Sequence, residues 1–194
     1  MTEQLEQNQV DFPDKKYNII YADPPWSYSN KIVNIWNISG SPSYNTLTQN
    51  KIKELPVKSI SAKNSILFLW AVVPQLPEAF EVMNSWGFKY KTMLTWHKTY
   101  NKIGGKGMGY WFRGQTEHLL LGIKGNVKAF RSVKPNHYSY DVIKHSQKPH
   151  KFRELIVEAS GDLPRIELFA RERYIGWDSW GEQLENKIQE TLTQ

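Results

Sequence analysis

Asp23-Pro24-Pro25-Trp26 is a stretch whose residue types, in this order, could do chemistry. A carboxylate is followed by two residues that lack a backbone N–H and push the residue before them out of the helical region. A flat indole comes next. Such a set suits activation of an exocyclic amine on a planar base, whose nitrogen lone pair is delocalised into the ring. The nitrogen becomes nucleophilic when both of its N–H bonds are held by acceptors that favour a pyramidal centre. The Asp23 carboxylate and the Pro24 carbonyl are suited to be those acceptors, because a carbonyl beside a proline is expected to be unpaired. The same two dipoles would stabilise the positive charge that develops on the nitrogen. Trp26 offers a stacking face for a base taken out of its helix, and alignment with an activated methyl supplies further rate. A plain turn, with Asp23 as local acceptor and Trp26 as core anchor, is the alternative that the tetrapeptide alone leaves open.

The elements around it are those of an α/β chain. Tyr17 to Ala22 is a short apolar, β-branched run, expected to be a buried strand that delivers Asp23 at its C-terminal end. Ligands of open α/β sheets bind at that end. Ser27–Thr46, rich in Ser, Asn, Tyr, Gly and Pro, is expected to be a long loop, and loops of that length are usually functional. Thr48 is suited to cap a short helix carrying Ile52 and Leu55 that Pro56 ends. Ser65 to Val73 is an uninterrupted apolar run, as in a strand buried on both faces. Leu76, Ala79, Phe80 and Met83 share a helix face over Pro74–Trp86, with Gly87 placed to end it. Phe88–Trp96, Glu117–Ile123 and Arg165–Phe169 are expected strands, and Lys148–Ser160 a helix with Pro149 near its first turn. The glycine-rich Asn101–Gly109 segment matches neither phosphate-binding fingerprint and is expected to be a flexible loop. Strands alternating with helices imply a largely parallel sheet.

The 194-residue length fits one domain: a catalytic domain over 13–185, a flexible N-terminal arm over 1–12 and a C-terminal tail over 186–194. Aromatic content is high, with 8 Trp and 10 Tyr, which favours a heavy core or a surface that stacks on bases. A formal charge of +6 suits a polyanionic partner such as nucleic acid. The absence of Cys removes disulfides, thiolate metal sites and a Cys nucleophile. No metal site is expected either, because His145 and His150 have no carboxylate at metal spacing between them. The polar N-terminus is unlike a signal peptide and no apolar run reaches spanning length, so no membrane partner and a cytoplasmic location are expected.

A ligand beside Asp23 should lie where strand order reverses. Its expected walls are the end of Arg165–Phe169, the Gln147-Lys148-Pro149 turn and Gly181-Glu182-Gln183. Lys148 is suited to a carboxylate, Glu182 and Gln183 to a ribose diol, and Phe169 to flanking an adenine. Each also has an ordinary structural reading as surface lysine, solvated acid or core aromatic.

Several segments, in order, resemble a known family, the Asp-Pro-Pro-Trp adenine-N6 methyltransferases that include the catalytic subunit of the messenger-RNA adenosine methyltransferase. They are Ala22–Trp26, Tyr44-Asn45-Thr46-Leu47, Leu67-Phe68-Leu69-Trp70, Trp86-Gly87-Phe88, Glu117-His118-Leu119 with Gly122–Gly125, His145–Pro149, and Glu167–Arg171 with Gly176–Gly181. The likeness extends over roughly Tyr17 to Leu184. It implies a Rossmann-like α/β fold, mostly parallel with helices on both faces, and S-adenosyl-L-methionine as cofactor. The resemblance assigns Asp23, Pro24, Pro25 and Trp26 to catalysis. It assigns Asp23, Lys148, Phe169, Arg171, Glu182 and Gln183 to the cofactor, and Tyr44, Trp111 and Glu117 to the target adenine. Glu182 stands where the family more often has Asn, and Ile143-Lys144 replaces a more usual Arg-Glu pair. The resemblance also implies a nucleic-acid substrate, DNA in preference to RNA, and raises a homodimer or a partner subunit. A catalytically silent nucleic-acid-binding subunit is the alternative from another class, which the intact Asp23–Trp26 stretch opposes.

Overall fold

The structure, a computed structural model, describes residues 11–27, 46–100, 111–130, 134–143, 147–182, 184 and 188–189. Seven strands form one sheet in the order β5-β3-β4-β2-β1-β6-β8. They are β1 (Tyr17–Ala22), β2 (Ser61–Val72), β3 (Lys89–Thr99), β4 (Thr116–Lys124), β5 (His137–Asp141), β6 (Arg165–Leu168) and β8 (Asp178–Trp180). A separate pair joins β7 (Arg173–Tyr174) to β9 (Ile188–Gln189) in parallel.

Within the large sheet every strand runs the same way except β4, which is antiparallel to both β2 and β3. The expectation of a mostly parallel sheet therefore holds, with one reversal. β1 lies at the centre, paired in parallel to β2 on one side and β6 on the other. The chain leaves β1 toward β2 and later comes back to β6, so the end of β1 is the place where strand order switches.

Strand side chains alternate between faces, and each face of the sheet builds its own core. Ile20, Ala22, Leu67, Leu69, Ala71, Ile166 and Leu168 point to one side. There they meet Ile52 of α1 (Gln49–Glu54), Val57 and Ile60 of α2 (Val57–Ile60), and Ala79, Val82 and Met83 of α3 (Leu76–Ser85). Ile19, Tyr21, Ile66, Phe68, Trp70, Trp96, Leu119 and Leu121 point to the other side, toward Phe152 and Ile156 of α4 (Lys151–Ser160). Helices thus cover both faces. Thr48 caps α1, its hydroxyl accepting from the Lys51 N–H at 3.4 Å. Gly87 ends the α3 segment at φ +85°, a conformation that other residues adopt only with strain.

Three details differ from the sequence expectations. β5 falls where no strand was expected: its His-Tyr-Ser-Tyr-Asp pattern alternates, but at an edge, with only Tyr138 and Tyr140 turned inward onto Phe152. Phe12, placed in the arm on account of its polar neighbours, packs its ring edge-on against Trp180 at 4.9 Å. Ile188–Gln189, placed in the tail, forms β9.

Candidate active site

Ala22 closes β1, and Asp23 is the first residue past its tip. The two prolines that follow cannot extend the ladder, and the backbone turns at once. The Trp26 N–H donates to the Pro24 carbonyl at 2.8 Å, and the Leu47 N–H donates to the Pro25 carbonyl at 2.9 Å. The expected unpaired Pro24 carbonyl is therefore corrected: a three-residue turn already uses it, leaving its second lone pair open. Trp26 is also corrected. Its indole Nε1–H donates to the Trp70 carbonyl at 3.1 Å, and the side chain is only 7% exposed. Burial favours this arrangement because a large indole with its N–H satisfied stabilises the core. Trp26 consequently forms a wall of the site instead of an open platform.

Asp23 opens onto a cleft enclosing about 480 Å³, mouth included, lined by Asp23, Pro24, Pro25, Trp26, Trp70, Ala71, Val72, Glu117, Lys148 and Arg171. Four charges alternate along it. Lys98 on β3 pairs with one oxygen of Glu117, whose other oxygen lies 3.2 Å from the Lys148 ammonium. Lys148, in the turn before α4, donates to Asp23 Oδ2 at 2.7 Å. Asp23 is the most open of the four side chains, at 24%, and Lys148 the least, at 9%. Both lysines lie over tryptophan rings, Lys98 over Trp96 at 5.5 Å and Lys148 over Trp70 at 5.4 Å.

These neighbours set the charges. Burial opposes the Lys148 ammonium, yet the Asp23 and Glu117 carboxylates outweigh it and hold Lys148 above the ordinary lysine range. Burial likewise pushes Glu117 up, while Lys148 and Lys98 outweigh it and hold the carboxyl below its usual value. Near neutral pH, therefore, Lys148 and Glu117 are both charged.

The neighbouring strand supplies the rest. Phe169, directly after β6, sits at φ +61°, the left-handed region that L side chains enter at a cost of roughly 1–2 kcal/mol. Its ring meets Trp180 edge-on at 5.7 Å. Gly181 makes this corner possible: a Cβ there would stand 2.4 Å from the Ala170 carbonyl oxygen and 2.8 Å from its nitrogen. Phe169 does not line the cleft, but Arg171, two residues on, does. Glu182 is exposed and does not line the cleft. Trp111 is 93% exposed and stands outside the cleft wall. Tyr44 and Gln183 lie outside the described residues.

Two contributors were missed in the sequence. Trp70 was readable as the end of an apolar strand that finishes at the same edge as Asp23. Lys98 lies two residues beyond the expected end of β3, on the same side as Trp96. Among the described residues there is no group of three or more His, Cys, Asp or Glu arranged to hold a metal. Nor, among them, is any helix long and apolar enough to cross a membrane. The donor set fits S-adenosylmethionine instead. Lys148 and Arg171 on the cleft wall would supply cations for a carboxylate, and Glu182 and Phe169 outside that wall would offer a diol acceptor and an aromatic face.

A central parallel strand whose tip carries a carboxylate into a cleft at the switch point defines the class as Rossmann-like and cofactor-dependent. Residues 17–183 match the MT-A70 family, and the chain belongs to it. Relatives bear this out. The chain is 34% identical over 196 residues to the Type II methyltransferase M.MunI of a Mycoplasma species, spanning 91% of this chain and 82% of that one. It is 28% identical over 176 residues to the human N(6)-adenosine-methyltransferase catalytic subunit METTL3, spanning 88% of this chain and 28% of that one. An MT-A70-like N(6)-adenosine-methyltransferase of Arabidopsis thaliana is 28% identical over 173 residues, 87% of this chain and 24% of the relative. Family and relatives together make this an S-adenosylmethionine-dependent methyltransferase that acts on adenine N6.

Proposed function

We propose that residues 13–185 methylate adenine N6 in DNA, in the cytoplasm, with the Asp23–Trp26 turn as the catalytic element. The observation that carries this reading is the Asp23 carboxylate, which opens on a cleft it shares with Lys148, Glu117 and Arg171. Asp23 Oδ1 and the free lone pair of the Pro24 carbonyl accept the two N–H bonds of the amine. Both acceptors then face the nitrogen as it gains positive charge, an arrangement set before the reaction and needing little reorganisation. Pro25 fixes the turn that aims the Pro24 carbonyl, and Trp26 and Trp70 wall the base with indole. Bound S-adenosylmethionine supplies the activated methyl group.

Lys148 and Arg171 hold the cofactor carboxylate, while Phe169, Glu182 and Gln183 hold its nucleoside. Tyr44, Trp111 and Glu117 serve the target adenine. DNA is favoured over RNA because the relative matched along 82% of its length is named a Type II methyltransferase, whereas those named for adenosine are matched along about a quarter of theirs. Mass spectrometry for N6-methyladenine on matched DNA and RNA oligonucleotides tests the reading. We expect the modified base in DNA, and methylation of RNA alone would overturn the substrate assignment.

A further inference from the structure

Lys148 donates to Asp23 Oδ2 at 2.7 Å, which leaves Oδ1 open toward an incoming amine. Among the carboxylates lining the cleft, the only other one within reach of Lys148 is Glu117, at 3.2 Å. Glu117 is in turn held from behind by Lys98, which pairs with its other oxygen and comes from a different strand. We infer that Lys98 is a positioning residue of the methyl-transfer site, fixing the Glu117 carboxylate as the second counter-ion that holds Lys148 in place against Asp23 Oδ2.

The geometry requires a cation at that position. Glu117 sits at the register point where β4 meets Val72 of β2 and Trp96 of β3, and its side chain is about as buried as that of Lys148. Charged groups facing it are Lys98 from β3, Lys148 from the turn before α4, Asp23 from the tip of β1 and Arg171 from beyond β6. His118 neighbours it on β4 with its Nδ1 beside the Thr95 hydroxyl, and Tyr21 lies on the far side of Lys148. With Lys98 present the Lys98, Glu117, Lys148 and Asp23 row sums to zero charge. Without it the row carries a net negative charge in a partly dry cleft, which favours protonation of Glu117. A protonated Glu117 no longer holds Lys148, whose ammonium is then placed by Asp23 alone. The Lys98 ammonium also lies 5.5 Å from the centre of the Trp96 ring, so it is aimed and not merely nearby.

This rests on the role given to Asp23 above, and its test separates the two. The Glu117 carboxyl is titrated by NMR on protein carrying 13C at its glutamate side chains, with the Glu117 signal assigned by its loss in Glu117→Gln. That readout needs no turnover. In Lys98→Met the titration should move up by about one pH unit, the low end for loss of an adjacent opposite charge. The acid limb of the kcat profile should follow it, and Lys98→Arg should restore both. A Lys98→Met protein with lowered melting temperature but unmoved Glu117 titration and acid limb would overturn the inference. Should Lys98→Met fail to fold, Lys98→Gln provides the same comparison. A moved titration in a protein that methylates no adenine would instead count against the catalytic reading alone.

Discussion

Arg153 and Lys148 stand on either side of the start of α4, each against buried carboxylates, and the two clusters have opposite characters. Arg153 meets Glu167 with two parallel bonds, Nε at 2.7 Å and Nη2 at 2.5 Å, so both carboxylate oxygens are used. The guanidinium lies 5.1 Å from the Tyr21 ring and 4.1 Å from that of Tyr174, and the pair is 12% and 6% exposed. Neither residue lines the cleft. Lys148 instead divides one ammonium between two carboxylates at unequal distances, and all three line open space. A rigid planar fork suits a pair with one partner, whereas a compact charge on a flexible stem suits one shared between two. Burial alone does not separate a structural ion pair from a working one; access to open space does.

That contrast can be broken from either side. Glu167→Ala leaves Arg153 buried without its counter-charge and should cost about 3–5 kcal/mol of stability. Denaturant melts should register the loss while turnover per folded molecule stays near wild type; a large kinetic defect without destabilisation would erase the distinction. Asp23→Ala should do the reverse, lowering kcat by about 10²–10³-fold, the usual cost of removing one aimed transition-state partner. Its melting curve should stay close to wild type, and retained turnover would remove Asp23 from catalysis. Gly181→Ala tests the corner between them. A Cβ 2.4 Å from the Ala170 carbonyl must displace the Phe169–Arg171 backbone, with a cost of about 1–3 kcal/mol for overpacking. Calorimetry should also find weaker S-adenosylmethionine binding.

The smallest effect concerns acid. Glu117 has a folded-state pKa below its ordinary 4.5, so its ion pairs contribute fully above that value and are lost as pH falls through the folded pKa. The stability gap between wild type and Glu117→Gln should therefore narrow in acid below about pH 4.5. A gap that is constant with pH would mean that Glu117 contributes by packing alone.

Much of this was legible before any coordinates. β1, β2 and β6 are flanked or covered on both sides, and their continuous apolar runs announce it. Lys148, Glu117 and Arg171 were named as site residues and do meet Asp23 in one cleft. What escaped was set by tertiary packing. Nothing local in His137–Asp141 distinguishes an edge strand from a polar loop until Phe152 lies beneath its two tyrosines. The Trp26 N–H that occupies the Pro24 carbonyl follows from a turn geometry that the two prolines permit but do not compel. Trp26 looked like a free face because sequence gives an indole no address. The strand carrying Trp70 supplies it.

The reversal of β4 has a consequence for where sequence change can act. Because β4 alone runs backward, its beginning and the end of β3 emerge at the edge where β1 delivers Asp23. The chain therefore leaves β3 after Thr99 and enters β4 at Thr116 on the side of the reaction centre. Lys98 and Glu117, each one residue inside its strand end, are part of that centre. Sequence changes at these two strand ends would therefore act beside the reaction centre while sparing the parallel strand that delivers Asp23.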